Sequence, residues 1–114
     1  MTKAEVNDFI GAWIDAGNRF DTRKYLSFFL PEAVLDDPSV GKEFKGHKGI
    51  RDYFDSYFIG YNTQTRLVKL TINGDRAQLE VHFTGSFPGG EIGGTFDITF
   101  KNGKIALLKA DLLH

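Results

Sequence analysis

One change in the spacing of apolar residues divides this chain into two parts. Up to about residue 60, apolar side chains recur every three or four positions, the period of an amphipathic α-helix. From residue 68 onward they alternate with polar ones, the period of a half-buried β-strand. Helices followed by a run of strands are typical of an α+β domain with the helices on one face of the sheet. The 114 residues are expected to form one domain, residues 1–114.

Three helices are predicted in the first part. Thr2 and Glu5 have the spacing of a capping box and begin the first helix. Asp21 can cap a second, short helix, which Pro31 stops. The third follows the turn KGHKG. Their apolar faces are Val6, Phe9, Ile10, Trp13 and Ile14; Tyr25, Phe28 and Phe29; and Ile50, Tyr53, Phe54, Tyr57 and Phe58.

Five strands are predicted, one before the third helix and four after it. The first is short and covers residues 33–37. The later strands are separated by turns at residues 73–75, 88–90 and 102–103, all rich in glycine and asparagine or proline. Gly93 and Gly94 indicate a bulge or bend in the sheet. The alternating apolar sets are Val68, Leu70 and Ile72; Ala77, Leu79, Val81 and Phe83; Phe96, Ile98 and Phe100; and Ile105 to Leu113.

The sheet face opposite the helices is expected to be of mixed polarity. It carries polar side chains such as Glu80 and His82, together with Leu67 and one apolar side of the last strand. A face of this character is often covered by a second subunit. We therefore expect a homodimer that packs sheet against sheet.

Charge and motifs argue against several classes of function. The formal charge is −1 with no block of Lys or Arg, which removes the electrostatic basis of nucleic-acid binding. No apolar run approaches the ~20 residues of a membrane span, and the first residues are too polar for a signal peptide, so a cytoplasmic protein is expected. The chain has no cysteine, and His47, His82 and His114 lack ligand spacing. Neither a metal nor another cofactor is expected.

The stretch VLDDPSVG, residues 34–41, carries two adjacent carboxylates. Both could simply begin a turn, as aspartates beside proline commonly do. If residues 33–37 are extended, however, Asp37 points to the same side as Leu35, and Asp36 points to the other. Asp37 would then enter the apolar interior, where burial disfavours a charged carboxylate and suits it to general-base chemistry.

Aromatic residues are the most unusual part of the composition, with eleven Phe, four Tyr and one Trp. An aromatic stripe at helical spacing is usually core. Tyrosine and tryptophan also have polar tips that require partners when buried, which suits the wall of a cavity. The sequence leaves both a dense core and an aromatic-lined cavity open.

Three segments together resemble the nuclear transport factor 2-like superfamily and, within it, the SnoaL-like polyketide cyclase and ketosteroid isomerase-like branch. They are FIGAWIDAGNRFDTRKYLSFFLPEAVLDDP, FKGHKGIRDYF and FDITFKNGKI, so the likeness covers nearly the whole chain. The resemblance implies a cone-shaped roll, with three helices packed on a curved mixed or antiparallel sheet. It also implies an open end that admits small apolar molecules, commonly in a homodimer.

The resemblance assigns roles to particular positions. In the isomerase, an aspartate moves a proton beside a ketone while a tyrosine and a protonated aspartate hold the developing oxyanion. The proton-transferring aspartate falls on Asp37, in agreement with the alternation argument. The oxyanion tyrosine falls on Trp13 and its supporting tyrosine on Phe54. The protonated aspartate falls on Phe96, with Asp97 facing away unless a bulge shifts the register by one.

The sequence thus yields two hypotheses. The first is a cofactor-independent isomerase, cyclase or lyase acting on a small hydrophobic carbonyl compound, steroid-like or polyketide-like, with Asp37 as general base and Trp13 or Tyr57 as hydrogen-bond donor. The alternative is a non-catalytic homodimer that binds a hydrophobic small molecule or a protein partner. The other residues predicted to line the pocket are Phe28, Leu35, Tyr53, Leu79, Val81, Phe83, Phe96 and Ile98.

Overall fold

In a computed structural model that describes residues 1–113, three helices lie on one face of a six-stranded sheet. The elements are α1 (Lys3–Asn18), α2 (Thr22–Ser27), β1 (Phe29–Asp37), β2 (Lys42–Lys45), α3 (Gly46–Phe54), a π-helical turn (Asp55–Ile59), β3 (Gln64–Asn73), β4 (Arg76–Thr84), β5 (Glu91–Lys101) and β6 (Lys104–Leu113). The strand order is β2-β1-β6-β5-β4-β3, with β1 parallel to β6 and the other neighbours antiparallel. The predicted α+β fold class is confirmed.

The first two helices begin where the sequence predicts, whereas α3 begins at Gly46, within the KGHKG segment that the sequence predicts as a turn before it. The Thr2 hydroxyl accepts the amide of Glu5 at 3.1 Å, while the Glu5 carboxylate accepts the amide of Thr2 at 2.9 Å, which completes the capping box. The Asp21 carboxylate accepts the amide of Lys24 at 3.1 Å and caps α2. Within residues 1–113, no helix is long and apolar enough to cross a membrane.

The first two strands differ from the prediction. β1 starts at Phe29 rather than residue 33 and includes Pro31, which lies where the pairing with β6 is interrupted between Phe29 and Val34. Proline has no amide hydrogen and is tolerated at such an irregularity. The prediction missed β2, since only Phe44 among its four residues is buried. Four residues with one inward side chain carry too short a pattern to be recognised.

Most aromatic side chains of the helices belong to the core. Tyr25 stacks on Phe54 with ring centroids 4.1 Å apart, and Trp13 meets Phe96 edge to face at 5.2 Å. All four are at least 97% buried. Aromatic pairs in these geometries add about 0.5–1.5 kcal/mol each beyond the area that they bury. The dense-core reading of the aromatic stripe therefore holds for α1, α2 and the first part of α3.

Of the bulge or bend predicted at Gly93 and Gly94, the bulge is wrong. Both residues pair in unbroken register with β4, and the irregularity of β5 lies instead between Thr99 and Phe100, opposite β6. Gly94 has a different function, because a Cβ at this position would collide with the Phe83 ring and lie 3.0 Å from a backbone oxygen of β6. The glycine makes room for an aromatic ring on the inner face of the sheet.

The register also settles where Asp97 points. It lies opposite Gln78 on β4 and Lys109 on β6, on the face away from the helices. There its carboxylate accepts a hydrogen bond from the Arg76 guanidinium at 2.8 Å. Phe96 faces inward, as the unshifted register predicts. An inward-pointing aspartate on β5 is thus excluded.

The outer face of the sheet is more polar than predicted. Leu67 lies opposite the buried Val81 and so belongs to the helix side, and the bulge that follows leaves Val68 49% exposed. The outer face carries mainly charged and polar side chains. Its central apolar contact is made by Val34 and Leu107, which lie side by side on β1 and β6 and are half-buried.

Replacing Gly94 with alanine should lower the free energy of unfolding by about 1–3 kcal/mol, the usual cost of inserting a methyl group where there is no room. Gly11→Ala is the matched control. Gly11 lies on α1 with no neighbouring atom within 4 Å of the added carbon, so alanine should stabilise the helix by about 0.5–1 kcal/mol. Urea unfolding of both variants measures the difference; equal effects would contradict the close approach at Gly94.

Candidate functional site

A cavity of about 310 Å³ lies between the sheet and the end of α3. It is bounded by the β1–β2 turn, the end of α3 with its π-helical turn, and the β4–β5 turn, while β4, β5 and β6 each contribute one side chain to its floor. A volume near 300 Å³ is at the lower end of the range for small-molecule sites. The residues that line it are Asp37, Ser39, Val40, Tyr53, Tyr57, Phe58, Tyr61, Thr63, Phe83, Phe87, Pro88, Ile92 and Leu112.

Asp37 is held from both sides in this cavity. Its side chain is on the same face of β1 as Leu35, and the residue is only 5% exposed. One carboxylate oxygen accepts the Ser39 amide at 2.9 Å and the Ser39 hydroxyl at 2.5 Å, and the other accepts the Tyr53 hydroxyl at 2.7 Å. The carboxylate therefore both shapes the turn and lines the cavity. Asp37 therefore fits both interpretations of the sequence motif, as a turn residue and as a residue of the cavity.

Asp36 has the opposite orientation. It pairs with Glu43 on β2 and Lys109 on β6, on the outer face of the sheet. Alternation along an extended strand separates the two adjacent acids. Of the pair, only Asp37 lines the cavity.

Tyr53 is the main partner of Asp37 and comes from a different layer of the fold. It lies on α3, where burial raises its pKa well above the ordinary value of 10.0, and the neighbouring charge and hydrogen bond of Asp37 raise it further. A tyrosine that keeps its proton remains a hydrogen-bond donor. Tyr53 thus joins the helix layer to the carboxylate on the sheet.

A π-helical turn at the end of α3 brings further aromatic residues to the cavity. The Gly60 amide bonds to the Asp55 carbonyl at 2.9 Å, five residues back, which widens this turn. As a result, Tyr57 and Phe58 both line the cavity. The ring centroids of Tyr57 and Tyr53 are 5.3 Å apart. Such turns often occur at functional sites.

The rim is formed by two segments that are tied together. The Ser86 amide and hydroxyl both donate to the Tyr61 carbonyl, at 2.7 and 2.8 Å. Above this contact, the Tyr61 and Phe87 rings meet edge to face with centroids 6.1 Å apart. The segment after α3 and the β4–β5 turn therefore form one continuous wall.

The structure brings together four of the residues predicted for the site: Asp37, Tyr53, Tyr57 and Phe83. The other predicted pocket residues do not line the cavity and lie elsewhere in the core or beside it; these are Trp13, Phe28, Leu35, Leu79, Val81, Phe96 and Ile98. These placements correct the prediction. Side chains of α1 and α2 pack in one core cluster with this part of the sheet, where Trp13 contacts Phe29 and Phe96.

Trp13 in particular cannot act as the predicted donor beside Asp37. Its side chain faces a separate void of about 10 Å³ shared with Tyr25 and Thr65. The buried indole nitrogen has no hydrogen-bond partner within residues 1–113. Phe28 lies further away, against Phe9, with ring centroids 5.1 Å apart.

Residues that the sequence prediction missed lie mainly in turns. Ser39 and Val40 follow Asp37, Tyr61 follows α3, and Phe87 lies in the β4–β5 turn. No periodic pattern marks turn residues, so hydrophobic spacing could not find them. For Ser39 a local signal existed, because a serine two residues after an aspartate can donate to its carboxylate.

Neither of the two described histidines lines the cavity. His47 contacts the Phe29 carbonyl oxygen at 2.9 Å, and His82 lies 4.0 Å from Glu91 on the outer face. His114 lies outside the described residues. Across residues 1–113 there is no group of three His, Asp or Glu side chains placed to hold a metal ion. The chemical groups available in the cavity are one carboxylate and several hydroxyls.

A family model described as a SnoaL-like domain matches residues 10–108. The chain belongs to the SnoaL-like domain family. This finding confirms the resemblance stated from the sequence. Among curated proteins, none matches the sequence of this SnoaL-like domain.

Solved structures show the same fold. A proposed polyketide cyclase from Sinorhizobium meliloti is 27% identical, with 90% of this SnoaL-like domain and 93% of that chain covered and a TM-score of 0.83. A proposed ketosteroid isomerase from Kribbella flavida is 12% identical, with 97% and 79% covered and a TM-score of 0.85. A nuclear transport factor 2-like protein of unknown function from Cytophaga hutchinsonii is 13% identical, with 94% and 88% covered and a TM-score of 0.79.

Two buried tyrosines should make the protein sensitive to alkali. Burial raises the pKa of Tyr25 and of Tyr53 above the ordinary 10, so the folded state holds both protons more tightly than the unfolded chain. Their contribution to stability is complete below about pH 10 and is lost as the pH rises through the folded-state pKa values. Urea unfolding from pH 8 to 11 should therefore show falling stability above pH 10. An equally steep fall in Tyr25→Phe and Tyr53→Phe would contradict this origin.

Proposed function

We propose that this domain catalyses proton transfer on a small hydrophobic carbonyl compound, as an isomerase, cyclase or lyase that needs no cofactor, with Asp37 as general base. The observation that carries the proposal is the position of Asp37. Among the described residues that line the cavity, it is the single charged side chain, and its surroundings are largely apolar. A carboxylate in such surroundings is suited to take a proton from a carbon acid.

The arrangement around Asp37 supports a base in a fixed orientation. Ser39 and Tyr53 donate to different carboxylate oxygens, so rotation of the group would break hydrogen bonds on both sides. Hydrogen bonds to charged groups contribute about 1.5–3 kcal/mol each. A ligand whose α-carbon lies against Asp37 would lose its proton to the carboxylate, and the electron pair would move toward the carbonyl oxygen. Holding the base in place reduces the cost of reaching this geometry.

The developing negative charge on the carbonyl oxygen requires a donor. Tyr53 already donates to Asp37, and Trp13 lies outside the cavity. Tyr57 is the best-placed candidate, since it lines the cavity beside Tyr53 and its hydroxyl makes no hydrogen bond within residues 1–113. A positioned donor of this kind is worth several kcal/mol of transition-state stabilisation.

The largely apolar lining of the cavity also supports a second candidate function. Because its lining is mostly apolar apart from Asp37 and several hydroxyls, the cavity is also suited to hold a hydrophobic small molecule without acting on it. In this case Asp37, Ser39 and Tyr53 would organise the turn and close the cavity. Shared folds serve both classes, so the fold alone does not choose between them.

We also propose that the domain forms a homodimer through the outer face of the sheet. Val34 and Leu107 supply a small apolar centre there. Around it lie charges of both signs, including Lys109 and Asp111. A two-fold axis through such a patch would bring opposite charges together. A cytoplasmic location remains the expectation from the sequence.

Asp37→Asn should abolish proton exchange while retaining ligand binding. Asparagine is close in shape but cannot take the proton, so the rate should fall by about 10²–10⁴. The measurement is hydrogen–deuterium exchange at the α-carbon of neutral ketones in D₂O, followed by NMR.

Asp36→Asn is the matched control, since Asp36 lies one residue away on the outer face. It should exchange at the wild-type rate. Full exchange by Asp37→Asn would refute Asp37 as the base, and binding by wild type with no exchange would favour the non-catalytic function.

The dimer can be tested at its apolar centre. Leu107→Arg places a charge at the proposed two-fold contact and should convert a dimer into a monomer in sedimentation experiments at micromolar concentration. Thr71→Arg, at the edge of the outer face on β3, is the control and should remain dimeric. A wild-type monomer at this concentration would contradict the proposal.

A further inference from the structure

The volume, walls and charge of the cavity together point to one class of ligand. We propose that the ligand is a neutral carbonyl compound of two fused rings, about a dozen non-hydrogen atoms, rather than a four-ring steroid or a comparable polycycle. The inference rests on the proposed function only in its carbonyl group, which would be the group activated by Asp37. The number of rings and the charge follow from the cavity itself.

Volume sets the number of rings. The cavity measures about 310 Å³. A dry apolar cavity of about 150 Å³ accommodates one benzene molecule. Two rings therefore fill the space at a comparable packing density, while one ring leaves half of it empty. Four rings would need about twice this volume and would project through the open side of the cavity.

The walls favour flat rings. Phe58 and Phe83 meet edge to face with ring centroids 6.2 Å apart, and the Tyr57 and Tyr61 rings are tilted against each other with centroids 6.4 Å apart. Aromatic side chains hold aromatic ligands in offset or edge-on contacts. At the rim, Phe87 meets Tyr61 and limits how far a long ligand could extend outward. The polar end of the ligand would lie inside, near Asp37.

The charged residues around the cavity determine the third property, the net charge of the ligand. Within the described residues, the lining contains no Lys, Arg or His, so nothing there would compensate an anionic ligand beside the Asp37 carboxylate. A buried charge without a partner is strongly disfavoured. Both Asp37 oxygens already accept hydrogen bonds from Ser39 and Tyr53, so the carboxylate has no need of a cationic partner. A neutral ligand remains.

Calorimetric titration with a ring series tests the size. The probes are acetophenone, 2-tetralone, anthrone and androst-4-en-3-one, which carry one to four rings. Affinity should peak at 2-tetralone, with a loss of about tenfold or more on going to three or four rings. Tighter binding of the four-ring ketone than of 2-tetralone, or no binding by any member, overturns the inference.

Two further probes test the charge at constant size. 2-Naphthoate and 2-aminotetralin match 2-tetralone in ring number but carry a negative and a positive charge. Both should bind at least about tenfold more weakly than the ketone. Preferential binding of the amine would show that Asp37 is a cation site and would overturn the neutral assignment.

A pair of phenylalanine variants locates the selectivity. Phe87→Ala removes a ring from the rim and should move the optimum from two rings to three. Phe28→Ala is the matched control, because Phe28 is also half-buried but lies against Phe9 outside the cavity. It should leave the order of affinities unchanged, and an equal shift in both variants would overturn the assignment of the rim.

The outcome separates this inference from the proposed function. If 2-tetralone binds best but its α-hydrogens do not exchange in the wild-type protein, proton transfer is refuted and the ligand class stands. If a four-ring ketone binds best and exchanges, the ligand class is refuted and proton transfer stands.

Discussion

The site depends on one hydrogen bond between the two layers of the fold. Tyr53 on α3 donates to Asp37 at the end of β1, across the boundary between helices and sheet. A carboxylate that is 95% buried is unfavourable unless donors surround it, and here the donors come from a helix and from the following turn. Since α3 and β1 must both be in place for this, Asp37 has its full set of donors only in the packed domain.

This use of Tyr53 changes what the remaining residues must do. In the ketosteroid isomerase pattern, tyrosine and a protonated aspartate hold the oxyanion, and the resemblance would put Trp13 and Phe96 at those positions, although both are core residues here. The buried tyrosine of α3 instead donates to the Asp37 carboxylate, the proposed base. Oxyanion stabilisation would fall to Tyr57, which reaches the cavity because the helix widens into a π-helical turn. The π-helical turn thus brings a hydrogen-bond donor, Tyr57, to the cavity, where Trp13 and Phe96 supply none.

The sequence predicts those features of the site that depend on neighbouring residues in the chain, and it misses those that depend on packing between distant elements. Alternation along a strand is local. In β1 it correctly separates Asp37 from Asp36, and in β4 it places Phe83 on the inner face. Whether an inward side chain meets a helix or open space depends on packing between distant elements. Val81 and Phe83 share one face of β4, yet only Phe83 lines the cavity. Gly94 also depends on a distant contact. A glycine is required there because the Phe83 ring on the neighbouring strand leaves no room for a side chain, and not because of its own backbone conformation.

The division between regular elements and turns also separates chemistry from selectivity. Asp37 and Tyr53 lie on a strand end and a helix, where packing fixes their positions. Tyr61 and Phe87, which line the rim of the cavity, lie in connecting segments held together mainly by Ser86. Substitutions in those segments disturb few buried contacts. The same base could therefore serve ligands of different sizes when only the rim changes, which would let one fold accommodate many substrates without rebuilding its charged centre.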